Sequence, residues 1–126
     1  MNRVILFSDA LTEASSITEA AMDKLIPEGE EPESILLKAM RYSSFSGGKR
    51  LRPFIVLTCA DIFDVPRSYS ERVAAAVEMV HTYSLIHDDL PAMDNDKLRR
   101  GKPTCHIEFD EATAILAGDG LLTLAA

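Results

Sequence analysis

Apolar residues recur at helical spacing along most of the chain. Leu11, Ala14, Ile17, Ala21 and Leu25 fall at steps of three and four and predict an amphipathic helix over 10–25. Pro27-Glu28-Gly29-Glu30-Glu31-Pro32 is a polar break. A helix resumes at Ser34-Ile35-Leu36-Leu37-Lys38-Ala39-Met40 and stops before Ser43-Ser44-Phe45-Ser46-Gly47-Gly48, a loop by composition. Residues 51–63 predict a buried helix with Pro53 in its first turn, although their β-branched content also fits a strand. After Pro66-Arg67-Ser68, Ser70 is placed to cap a helix from Glu71 to about Asp89. Its stripe runs Val73, Val77, Val80, Ser84, His87, apolar first and polar at its end. Pro91 forbids undisturbed continuation. Residues 95–105 form a polar loop, and Glu108 to Leu116 opens a further helix. The segment Gly118 to Ala126 ends within an apolar run without a cap or polar tail, the pattern of an interrupted helix.

The chemistry concentrates where the long helix turns polar. Asp88, Asp89, Asp94 and Asp96 lie close together and are followed by Arg99 and Arg100. Two unit charges about 4 Å apart repel by about 4 kcal/mol at an effective dielectric of about 20. A hard cation converts that repulsion into affinity, since Mg²⁺ is commonly held by one or two carboxylates and a substrate's phosphates. Arginine forks suit phosphate oxygens. The pattern suggests a site for a magnesium-bound phosphate ester, with a solvated acidic helix end as the alternative. An EF-hand loop fits poorly, because counted from Asp88 or Asp94 the Gly at position six and the Glu at position twelve are missing.

Gly47-Gly48-Lys49-Arg50-Leu51-Arg52-Pro53 is the second informative segment. Glycines before a helix start let backbone amides approach an anion. Arg50 stands where a P-loop needs Ser or Thr, so that motif is excluded, and a plain basic helix start remains the alternative. His81 and Asp88 are seven residues apart, near one helical face, about 10 Å from each other.

Bulk properties narrow the partners. A net charge of −7 argues against nucleic acid and against an anionic membrane surface. Cys59 and Cys105 make neither a zinc pattern nor a disulfide framework, and Cys59 reads as a buried thiol. No run reaches the length of a membrane span, and Val4 to Phe7 is too short for a signal peptide, so the expected setting is the cytoplasm.

Together these segments resemble the trans-type polyprenyl diphosphate synthases, nearest the bacterial farnesyl group. The resemblance covers 34–126 and rests on 47–53, on His81 through Asp96, on Leu98-Arg99-Arg100-Gly101-Lys102-Pro103-Thr104 and on Ala114 through Leu122. It implies an all-α isoprenoid synthase helical bundle, with residues 1–126 as the N-terminal portion of one synthase domain. It implies Mg²⁺ at Asp88 and Asp94 with Asp89 supporting, an allylic diphosphate at Arg99, and isopentenyl diphosphate at Lys49, Arg52, His81 and Arg100. Catalysis is thus expected of Asp88, Asp89, Asp94 and Arg99. Tyr83 and the small Ser84, upstream of Asp88, imply a cavity floor that sets a C15 product, with C20 next.

The resemblance further implies a homodimer, or a second chain supplying a C-terminal half with another aspartate-rich helix. Without that half, the chain is expected to be weak or inactive as a catalyst. Two other readings stay open: a non-catalytic subunit pairing with a complete synthase, and a helical magnesium- or polyphosphate-binding module.

Overall fold

The computed structural model of the protein describes residues 6–29 and 32–126. Glu30 and Glu31 of the polar break, and Val4 and Ile5 of the first apolar run, lie outside the described residues. The described chain forms α1 (Phe7–Leu25), α2 (Ser34–Ser44), α3 (Leu51–Ile62), α4 (Arg67–Asp88), β1 (Leu98–Arg99), β2 (Lys102–Pro103), α5 (Cys105–Glu108) and α6 (Glu111–Ala125).

Helix α4 is central, packed against α1, α2, α3 and α6. It buries Ala74, Ala75, Met79 and Ile86, and the two alanines let neighbouring helices approach closely. Met22 and Ile26 from the end of α1, Met40 from α2 and Leu121 from α6 complete the main core. A smaller cluster joins Ala14, Leu57 and Ala74 between α1, α3 and α4. Arg41 ties α2 to the end of α1, donating to the Ile26 carbonyl at 2.5 Å and pairing with Asp23.

Several expectations need correction. The Val73–Val80 stripe is not the buried face: Val73 is 52% and Val80 40% exposed. Alanines make two faces of α4 look alike in periodicity, and packing selects the small one. Helix α3 is a helix, with Pro53 in the first turn where its missing N–H is not needed. It is not buried, however, since Pro53 and Leu57 are its buried residues and Cys59 is exposed. Ser70 does not cap α4. Pro66 stands at that cap, its carbonyl accepting from Tyr69 and Ser70 amides at 3.0 and 3.2 Å, so Ser70 lies buried inside the first turns. Helix α2 runs on to Ser44. The expected helix from Glu108 divides into α5 and α6, with the Asp110 carboxylate accepting from the Thr113 amide at 2.7 Å.

The 95–105 loop contains an antiparallel hairpin that pairs Leu98 with Pro103 and Arg99 with Lys102. Arg100 and Gly101 at its tip have φ of 51° and 76°. Two consecutive positive φ values make the two-residue turn that matches strand twist. Tyr42 Oη donates to the Pro103 carbonyl at 2.7 Å and fastens the hairpin to α2. Among the described residues no helix is long and apolar enough to cross a membrane.

Candidate functional site

Pro91 ends α4, and the backbone folds back into a closed turn. The Asp94 amide donates to the Asp88 carbonyl at 2.8 Å, and the Asp96 amide to the Asp89 carbonyl at 3.0 Å. Asn95 takes φ of 54° at the bend, and Leu90 anchors the turn in the core. Asp94 is thereby returned to the end of α4 beside Asp88.

The aspartates divide into two kinds. Asp89 is buried and accepts two hydrogen bonds from Arg99, Nε at 2.9 Å and Nη2 at 2.6 Å. That bond to Asp89 raises the Arg99 pKa, against the opposing effect of burial. Asp88 and Asp94 carry no side-chain hydrogen bond or ion pair among the described residues. Such free, hard oxygen donors fit Mg²⁺. No group of three ligating side chains is gathered among the described residues, so water and phosphate oxygens would fill the remaining positions.

The basic segment meets α4 at Glu78 and His81, and one cavity is lined by Glu78, His81, Asp89, Arg99 and Arg100 together. Lys49, Arg52, His81 and Arg100 share the lining of an open pocket of about 600 Å³ with Gly48, Arg50, Leu51 and Glu78. Arg52 Nη1 lies 3.4 Å from His81 Nε2. A guanidinium can only donate, so a hydrogen bond there requires Nε2 to accept. Burial first, and then the Arg52 charge, hold His81 below the usual histidine range, while Glu78 pulls it back. Arg100 lies over Gly48, where an added β-carbon would sit 3.0 Å from its Nη2. Gly48 has φ of 123°, so it serves both the turn and the close approach.

From this pocket an apolar groove of about 520 Å³ follows α4 past Val77 and Val80 to Tyr83 and Ser84. The Tyr83 ring meets the His87 ring edge-on at 5.4 Å. His87 reaches α6, its Nε2 3.0 Å from the Ile115 carbonyl and 3.7 Å from Asp119 Oδ1, and so joins α4 to α6. Gly118 makes room for it, since a β-carbon there would fall 2.3 Å from Nε2.

Residues 33–126 match the polyprenyl synthetase family. The chain belongs to that family. It is 48% identical over 119 residues to the farnesyl diphosphate synthase of Haemophilus influenzae, covering 94% of this chain and 40% of the relative. Against the farnesyl diphosphate synthase of Bacillus subtilis it is 62% identical over 92 residues, 73% of this chain and 31% of the relative. The geranyltransferase structure from Legionella pneumophila superposes with a TM-score of 0.87 at 50% identity, over 93% of this chain and 41% of that one. The chain therefore spans between 30% and 40% of the length of the curated relatives it matches. Its all-α architecture is that of polyprenyl synthetases.

Two features of this candidate site escape sequence reading. Arg50 looks like one more cation of the basic segment, but it is turned inward and 4% exposed. It donates to Glu78 Oε2 at 2.9 Å, to Glu19 Oε2 at 3.2 Å and to the Ser44 carbonyl at 2.7 Å. Its φ of 57° is left-handed, a strain of about 1–3 kcal/mol for a residue with a β-carbon. Hydrogen bonds to a charged group contribute about 1.5–3 kcal/mol each, enough to hold that conformation. The desolvation of two ions offsets most of the remainder, so the network contributes location more than net stability. The second feature is the fit of His87 over Gly118. Glu78, a lone acid three residues before His81, was the available signal for the first; nothing in the sequence marked the second.

Proposed function

We propose that the chain carries the diphosphate sites of a prenyltransferase. The enzyme condenses an allylic diphosphate, dimethylallyl or geranyl, with isopentenyl diphosphate to give farnesyl diphosphate, working in the cytoplasm as part of a single synthase domain. One observation carries the reading: Arg99 and Arg100, adjacent in sequence, line one cavity and engage different partners in it. Arg99 forks onto Asp89 beside the carboxylate turn, and Arg100 lies over Gly48 in the basic pocket. A single hairpin thus serves two anion sites, which a two-diphosphate reaction requires side by side.

In this reading Asp88 and Asp94 hold Mg²⁺, and Arg99 faces the allylic diphosphate from its seat on Asp89. Lys49, Arg52, His81 and Arg100 hold isopentenyl diphosphate. Bound Mg²⁺ supplies charge neutralisation for the departing diphosphate. The cations keep the two substrates in register, and the apolar wall of Val77 and Val80 shields the growing tail from water. Tyr83 and Ser84 close the groove and select a C15 product. Exposed Ile115, Leu116, Leu122 and Leu124 on α6 support a homodimer or a further chain seated there.

Calorimetry with the two substrates tests the reading. Isopentenyl diphosphate should bind without metal and depend on Arg52. Geranyl diphosphate should require Mg²⁺ and Asp88. Binding indifferent to both substitutions refutes it. Turnover by the chain alone should be weak or absent.

A further inference from the structure

Lys49 and Arg52 are exposed, whereas Arg50 between them is buried and bound to three helices. Its partners are Glu19 on α1, the carbonyl of Ser44 at the end of α2, and Glu78 on α4. Positive φ at Gly47, Gly48 and Arg50 turns the chain into α3. Residue 50 directly precedes the first helical residue, so its orientation decides where Lys49 and Arg52 emerge. Glu78 sits one turn before His81, so the pair pins the start of α3 to α4 at the level where Arg52 meets His81 at 3.4 Å. Glu78 also acts on Arg100, whose guanidinium covers Gly48.

We propose that Arg50, clamped by Glu78, is the positioning residue of the basic pocket. It binds no phosphate itself and sets the geometry in which Lys49, Arg52, His81 and Arg100 do. The inference rests on the diphosphate reading above and adds a residue to that site. Its physical basis is the planar fork, which meets three acceptors at fixed angles, as a lysine ammonium cannot.

The test is metal-free calorimetry with inorganic pyrophosphate on the 126-residue chain. The decisive variant is Arg50→Met/Glu78→Met. It removes one charge of each sign, so the net charge of the pocket is unchanged, and replacing both members of a buried pair commonly preserves folding. In this variant, with helical signal and cooperative melting retained, pyrophosphate affinity should fall at least about tenfold, or about 1.4 kcal/mol. Adding Arg52→Met should then cost less than it does in the wild type. Affinity within about twofold of wild type, or a fully additive Arg52 effect, overturns the proposal and leaves the diphosphate reading standing. A wild-type chain that binds no pyrophosphate refutes that reading and the proposal with it. Should the double variant not fold, Arg50→Lys decides: it keeps the charge but not the fork, and wild-type affinity in it overturns the proposal.

Discussion

Arg99 grips Asp89 through both carboxylate oxygens, at 2.9 and 2.6 Å, with Asp89 at 4% side-chain exposure and Arg99 at 33%. The pair separates the second aspartate from its neighbours: it seats an arginine, while Asp88 and Asp94 have no side-chain partner among the described residues.

Replacing Asp89 by Asn should therefore act on Arg99 first. Breaking a fully buried pair costs about 3–5 kcal/mol. Arg99 can turn to solvent, so about 1–3 kcal/mol is expected by urea denaturation. Geranyl diphosphate binding should weaken even at temperatures where the variant is fully folded. Undiminished binding would remove Arg99 from the allylic site.

Gly118→Ala should change sign with background. In the wild type the new β-carbon meets His87 at 2.3 Å, and overpacking of this kind costs about 1–3 kcal/mol. In a His87→Ala background those three contacts are gone, and alanine's better helix propensity should stabilise by about 0.5–1 kcal/mol. A double-mutant cycle by thermal melting reads both signs.

Histidine 81 gives a pH signature. Burial, then Arg52, lowers its pKa in the folded chain relative to the unfolded one. As pH falls, the unfolded chain takes up the proton first. This residue's contribution to stability is present above the unfolded value of about 6.5 and is lost as pH falls through the folded value. Urea midpoints of the wild type should drop more than those of His81→Gln between pH 7.5 and 5.5. Equal slopes would contradict this.

Tyr83 borders the groove that starts at Arg52 and His81. Tyr83→Ala should lengthen it, raising affinity for geranylgeranyl diphosphate relative to farnesyl diphosphate and, in an active assembly, lengthening the product. An unchanged preference would leave Tyr83 as core alone, in contact with His87.

Apolar side chains on α6, with Ile115 at 43% and Leu116 at 56% exposure, should drive self-association. Sedimentation of Ile115→Glu/Leu122→Glu against the wild type should show a shift toward monomer. Identical profiles would exclude α6 as the interface.

What the sequence by itself determined was local. Helical periodicity located the helices, Pro91 stopped α4, and the spacing of Asp88, Asp94, Arg99 and Arg100 marked the candidate site, because each depends on residues close in the chain. Tertiary structure alone decided which face of α4 is buried, since alanine and valine stripes share one period and only the neighbouring helices choose between them. It also decided that Cys59 is exposed, that Asp89 belongs to Arg99, and that Arg50 turns inward to Glu78. These outcomes depend on partners from 10 to 31 residues away, and the free energy of burying a charge is set by what surrounds it, which no local pattern encodes.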